Sequence, residues 1–194
     1  MSVAPWRSPL ARALHNNRAL PYARYFQLAT VGANGYPANR TVVFRGFLEN
    51  TNQLQIVTDS RSQKINHIQH QHWGEICWYF PKTREQFRLG GNLNLVTASH
   101  TSQGLRDARQ IVWQELSDSA RSQFAWPEPG VARVEDEAAF SPLPSDREQP
   151  LPNFCLLLLE PIQVDHLQLR GNPQNRWLYR QQSPDQWLKQ AVNP

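Results

Sequence analysis

Cysteine is scarce in this chain, and long apolar runs are absent. The two cysteines, Cys77 and Cys155, lie in the apolar stretches EICWYF and NFCLLLL. That setting suits buried free thiols rather than a redox pair or a metal knuckle, and a reducing cytoplasm is its simplest home. No apolar run approaches the roughly 20 residues that a membrane-crossing helix needs, so a soluble protein is expected. The opening MSVAPWRSPLARALHNN lacks acids and shares an arginine-rich look with transit peptides, but it has no signal-peptide centre. Trp6, Leu10 and Leu14 fall there at helical spacing, which predicts an amphipathic helix over about 6–19. Internal repeats and a linker are also missing, which leaves 1–194 as a single domain. Disorder is excluded by what remains, 40% hydrophobic residues and seven tryptophans.

The formal net charge is +4 and the pI is near 9.4. That balance is compatible with an anionic ligand, with nucleic acid, or with neither. Distribution says more than the sum. Arg40, Arg45, Arg61, Lys64, Lys82, Arg84 and Arg88 gather in the middle, whereas Glu135, Asp136, Glu137, Asp146 and Glu148 gather late. A basic middle points to an anion met there.

YFQLATV and ANRTVVFRGFL, parted by ANGYP, predict strand, turn, strand, with Asn34-Gly35 supplying the positive φ of a two-residue hairpin. After ENTNQ, LQIVT predicts a third antiparallel strand in a row, the opening of a meander or barrel. SRSQKINHIQHQ, apolar at Ile65 and Ile68, predicts a short helix across the barrel's end. EICWYFP and REQFRLGGNLNLVTA resume strands around a turn at Pro81-Lys82, with a bulge or bend at Gly90-Gly91. Helical spacing returns from Gln103 to Phe124, with Leu105, Ile111, Val112 and Leu116 as its stripe. A surface loop rich in proline and acids spans about 127–152. FCLLLLEPIQVDHLQL and NRWLYRQQ predict two more strands and SPDQWLKQAV a closing turn, for six or so strands in all.

Two stretches carry chemistry. In Arg40-Thr41-Val42-Val43-Phe44-Arg45, alternation puts Arg40, Val42 and Phe44 on one face and Arg45 on the other. From Thr58 to Lys64 the chain reads as strand end, turn and helix start. Hydroxyls, a helix N-terminus and a lysine within one turn are what a phosphomonoester dianion needs. A capped helix with solvated charges has the same composition, and on residues alone both readings stay open. His67, His70 and His72 raise the question of zinc. Position 72 leaves the helical face that 67 and 70 share, and no cysteine completes a tetrahedral set, so they read as polar helix surface and no metal is expected. Trp73, Trp78, Tyr79 and Phe80 offer a stacking platform for bases but read better as barrel core and dimer interface. Nucleic acid is therefore not the expected partner. Trp126, with Pro127 and Pro129, reads as a loop anchor ahead of a lid.

Four motifs in order, LATVGANGYPANRTVVFRG, VTDSRSQK, REQFRLGG and NRWLYR, resemble the pyridoxamine 5'-phosphate oxidase-like flavoproteins, from about Tyr25 to the C-terminus. More closely, the chain is similar to their small, oxidase-related FMN-binding branch. The resemblance implies a mainly β split barrel with flanking helices, paired as a homodimer with FMN at the interface. It implies that Arg40 contacts the flavin's phosphate-bearing chain and that the backbone of Thr41, Val42 and Val43 faces the flavin. Thr58 matches a hydroxyl residue that ends the third strand, and Ser62, Gln63 and Lys64 stand at the phosphate motif. Gln86 matches a glutamine reaching in from the partner subunit, and Arg176 an arginine near the isoalloxazine ring.

The departures bear on substrate. Gln63 stands where the oxidases have arginine, with Arg61 two residues earlier as the candidate substitute. Asp165 falls near the position of a flavin-flanking tryptophan. Asn172-Pro173-Gln174-Asn175 replaces the arginine and histidine that grip pyridoxine phosphate, and Arg45 replaces a lysine that helps them. The expected function is an FMN-dependent oxidoreductase acting on a small molecule, with pyridoxamine phosphate oxidation absent or very weak. A non-catalytic flavin-binding or sensing protein is the alternative.

Overall fold

In the computed structural model, which describes residues 3–143 and 145–194, the chain first runs as a helix, α1 (Arg7–Asn17), that buries Leu10 and Ala13. The strands β1 (Tyr25–Val31) and β2 (Pro37–Val43) then pair antiparallel, Leu28 opposite Arg40. Their connection is longer than the two residues expected. It covers 32–36, and of the Asn-Gly pair only Gly35 takes positive φ, at 80°. Asn34 instead accepts the Tyr36 amide on its side-chain oxygen at 3.1 Å.

The next strands do not extend that hairpin as a meander. After β3 (Gly46–Phe47), β4 (Leu54–Asp59) pairs not with β2 but with β7 (Phe154–Gln168). The crossing happens at two residues. The Phe44 amide donates to Arg24 O at 2.8 Å on the β1 side, and the Arg45 amide to Gln55 O at 2.9 Å on β4. Helix α2 (Gln63–His70) follows, and then the hairpin β5 (Trp73–Phe80) and β6 (Glu85–Val96). The sheet order is β2-β1-β5-β6-β7-β4-β3, with β8 (Asn175–Ser183) on β7 and β9 (Gln186–Val192) on β8. These nine strands among the described residues exceed the six or so expected, and the predicted closing turn SPDQWLKQAV is largely β9. Its Trp187 packs edge-on against Trp6, ring centroids 6.1 Å apart.

β6 and β7, of 12 and 15 residues, bind the curled sheet together. Their register shifts at Gly90/Gly91, the bend that the glycine pair predicts. The LLLL run of β7 is buried on both faces because two cores flank it. Leu157 and Leu159 enter the barrel core with Phe26, Trp78 and Phe80, whereas Phe154, Leu156 and Leu158 face helix α3 (Gln103–Glu115). On α3 the buried stripe is Ala108, Val112 and Trp113, continued by Leu116. Ile111, expected in it, is exposed, because the helix meets β7 along one narrow face. A short helix, α4 (Asp118–Ser122), leads into irregular chain before β7. Cys155 is buried, and burial pushes its thiol up to about 11, whereas Cys77 is only partly covered. Trp78 and Phe80 are core residues, as expected, but Tyr79 is exposed.

The bend at Gly91 is a tight constraint. A Cβ there would stand 1.9 Å from Glu160 O and 2.7 Å from Glu160 C, both main-chain atoms of β7. Gly91→Ala is therefore expected to destabilise the fold by about 3 kcal/mol or more, since β7 itself must shift. Gly104→Ala, where nothing lies within 4 Å, is expected to be neutral or to stabilise by up to about 1 kcal/mol. Denaturant unfolding of the two variants checks the contrast, and equal effects would contradict it.

Candidate functional site: a cation-lined cavity

The edge strand β2, the end of β4 and the start of α2 meet at a cavity of about 580 Å³. Arg40 reaches it from β2, and its Nη1 donates to Leu28 O (3.0 Å), Ala38 O (2.8 Å) and Thr30 Oγ1 (2.7 Å), which fixes one edge of the guanidinium to the β1–β2 hairpin. Lys64 reaches it from the first turn of α2. Its Nζ donates to Thr58 Oγ1 at 2.9 Å and Ser62 Oγ at 2.8 Å. Ser62 holds the N-cap position of α2 with extended backbone but makes no side-chain cap bond, so its hydroxyl serves Lys64 instead.

The sequence pattern had set Arg45 on the face opposite Arg40, yet both line this cavity. Regular alternation ends where the chain crosses at Phe44, which enters the core at 5% exposure. The Arg45 Nε is buried without a protein partner. Burial lowers the pKa of Arg40. Burial also lowers that of Arg45, with Arg24 adding to the effect. For Lys64 burial again lowers the value, the Arg40 charge lowers it further, and Asp59 partly offsets both. Three cations thus face one hollow at a cost in charge burial, which an entering anion relieves.

Asp59 does not neutralise them. Its carboxylate takes Arg61 Nε (3.0 Å), Arg61 Nη2 (2.7 Å) and the Arg61 amide (2.8 Å), together with Asn153 Nδ2 (2.7 Å). Burial alone would push this carboxyl up, but the bonds from Arg61 and Asn153 hold it below its ordinary value. Arg61 also donates to Phe124 O (3.2 Å) and Trp126 O (3.0 Å), and Asn153 to Phe124 O (2.7 Å). Arg61 is thus a latch between the turn and the chain after α4, with its guanidinium committed to protein acceptors. That chain forms the cavity's second wall through Trp126, Pro127, Val131, Val134 and Phe140. Trp126 packs edge-on against Phe140 at 5.8 Å and lines the cavity as well, so it is wall and anchor together. Proline and tryptophan in an irregular stretch were the available signal, but nothing local says which hollow they face.

Of the residues singled out in the sequence, Arg40, Thr41, Val42, Val43, Thr58, Ser62 and Lys64 line this one cavity. Gln63 is exposed and outside the lining. Gln86 lies on β6 opposite Tyr79 and Leu167, away from the cavity within the chain. Arg176, on β8, also lies apart from it. Its guanidinium pairs with Asp165 at 3.0 and 2.7 Å beside Arg88, in a smaller hollow with Glu75 and Arg180. His67, read as surface, is buried, and its Nδ1 lies 3.0 Å from Thr30 Oγ1. Among the described residues no helix is long and apolar enough to cross a membrane.

A curled antiparallel barrel with a cation-lined hollow at its open edge defines a split-barrel protein. Residues 3–97 match the family model described as pyridoxamine 5'-phosphate oxidase, FMN-binding domain. An Arabidopsis thaliana protein, pyridoxine/pyridoxamine 5'-phosphate oxidase 2, is 39% identical over 196 residues, covering 99% of this chain and 98% of the plant protein. The crystal structure of a pyridoxamine 5'-phosphate oxidase-related, FMN binding protein from Nostoc punctiforme superposes with a TM-score of 0.97, at 61% identity and 100% of both chains. PhzG from Burkholderia lata, solved with tetrahydrophenazine-1-carboxylic acid, shares the fold at a TM-score of 0.80 and 17% identity, over 100% of this chain and 94% of PhzG. The chain belongs to the pyridoxamine 5'-phosphate oxidase-like, FMN-binding split-barrel family.

If Arg61 is a latch, Arg61→Ala frees the second wall. Amide hydrogen exchange over 124–134 is expected to quicken by about tenfold or more, while β5 to β7 stay protected. Unchanged exchange in that stretch would contradict the role.

Proposed function

We propose that this chain binds FMN with its phosphate in the Arg40–Lys64 cradle and acts, as a homodimer, as an FMN-dependent oxidoreductase on a small molecule other than pyridoxamine phosphate. The observation that carries the reading is the convergence of Arg40, Thr58, Ser62 and Lys64 on one cavity in a chain of an FMN-binding family. The residues fit the group. Thr58 and Ser62 each accept from Lys64 and lie 3.4 Å from each other, so at least one hydroxyl proton is left to donate to a phosphate oxygen. Arg40 and Lys64 balance a dianion. A hollow of about 580 Å³ lies within the usual range of cofactor sites, and Trp126 and Phe140 give it an apolar second wall.

Bound FMN would supply hydride and electron transfer, so no protein nucleophile is required. The chain's own residues hold, orient and tune. Gln86 and Arg176, apart from the cavity within one chain, would reach the flavin across the dimer, Arg176 as a guanidinium held by Asp165. On the substrate side, Asn172 and Gln174 offer no charge, which leaves Arg45 as the one cation in place of the family's grips. Two missing charge-assisted bonds, at about 1.5–3 kcal/mol each, lower affinity for a phosphorylated substrate by about a hundredfold or more. The neutral Asn172 and Gln174 also suit a second reading, a flavin-binding protein without turnover. Reduction of the bound flavin by a nicotinamide donor, followed by reoxidation, separates the two.

The purified protein is expected to show a flavin spectrum and to release FMN on denaturation, identified by mass; a colourless protein that ignores added FMN, or one that carries haem instead, would refute the reading. Lys64→Met is expected to weaken FMN binding by about 1.5–3 kcal/mol, roughly ten- to a hundredfold. In the unmodified protein, the preference for FMN over riboflavin should fall as pH rises and Lys64 loses its proton. The depressed pKa of Lys64 puts that loss below the ordinary lysine value of 10.5. A preference that holds through that range would remove Lys64 from the phosphate site. Pyridoxamine phosphate should be oxidised slowly or not at all, and efficient turnover would contradict the substrate proposal.

A further inference from the structure

The helix that delivers Lys64 also carries a histidine that the cradle does not touch. His67 lies on the buried side of α2 at 8% exposure, with its Nδ1 3.0 Å from Thr30 Oγ1 on β1. That same oxygen, itself buried, accepts Arg40 Nη1 at 2.7 Å, the shortest of Arg40's three bonds. A hydroxyl has one proton to give, and a guanidinium has no lone pair to take it. With Arg40 donating to Thr30, the threonine keeps its own proton, which it can donate to His67 Nδ1 when the ring proton is on Nε2. In that tautomer the order of donation is Arg40 to Thr30 to His67, from cavity to helix.

We infer that Thr30 and His67 are positioning residues that aim Arg40 at the anionic end of the ligand, and so tie the β2 half of the cradle to the α2 half. Arginine is long and samples many rotamers when free. The carbonyls of Leu28 and Ala38 hold Nη1 from the strands, and Thr30 is its side-chain acceptor. Without a partner that orients the hydroxyl, the Thr30 proton is free to turn toward the guanidinium and weaken the contact. His67 prevents that. It does so by accepting at Nδ1. The inference rests on the reading that this cavity takes the FMN phosphate.

The test compares FMN with riboflavin, which has the same ring and ribityl chain but no phosphate. Dissociation constants for both are measured by flavin fluorescence on the full-length protein and on Thr30→Val, Thr30→Ser, His67→Leu and His67→Asn. Thr30→Val and His67→Leu are expected to lose about tenfold in FMN affinity while riboflavin affinity stays within about twofold. Thr30→Ser keeps the hydroxyl and His67→Asn keeps a polar atom near Nδ1, so both should retain most of the preference. Equal losses for the two flavins would show that the pair merely supports the fold and would overturn the inference, as would unchanged FMN binding. If His67→Leu does not fold, Thr30→Val, closest in shape to the native residue, decides alone. An unmodified protein that binds riboflavin as well as FMN would overturn the phosphate reading itself, an outcome distinct from a failure of the variants.

Discussion

Two cations that repel each other, Arg40 and Lys64, are held partly out of water at one hollow, and much of the surrounding structure serves to keep them there. The hairpin of β1 and β2 fixes Arg40 through two carbonyls and a hydroxyl. The hydroxyls of Thr58 and Ser62 fix Lys64. Asp59 is turned to Arg61 and Asn153 and offsets the charge at Lys64 only in part. The result is a hollow in which partly buried cations gather, an arrangement that an entering anion would relieve.

The barrel places these parts at one point because its chain changes sides there. β2 is an edge strand on β1, whereas β4 belongs to the far side through β7. The residues between them, Phe44 and Arg45, bond to opposite sides of the barrel. That crossing brings Arg45 to the same hollow as Arg40 and drives Phe44 into the core. β6 and β7 span both cores, and the close approach of Gly91 to Glu160 lets one strand pair serve both.

The sequence was most legible where chemistry is local. Thr58, Ser62 and Lys64 fall in one short stretch, so a candidate cradle was legible from spacing, although a capped helix fitted as well and Arg40 joined it only through the family resemblance. The second wall could not, because Trp126 and Phe140 come from irregular chain whose path is set by Arg61 and Asn153 rather than by any period. β9 escaped notice for a related reason. Along QWLKQAV only Trp187 and Val192 are even partly buried, which leaves little alternation to see. His67 looked like surface because its neighbours on the helix are polar, and only the fold shows Thr30 beneath it. Ile111 erred the other way, apolar yet outside the narrow face that α3 buries.

The family is that of an FMN-binding domain, and the proposed departures of this chain lie on the substrate side, at Asn172, Gln174 and Arg45. The account therefore stands or falls on where the phosphate sits. The most direct measurement is a crystal structure of the protein grown with FMN. The prediction is a phosphate seated between Arg40 and Lys64, with Thr58 and Ser62 donating to it and Arg61 still on Asp59. A flavin phosphate bound elsewhere, with Arg40 and Lys64 turned away from it, would contradict the account.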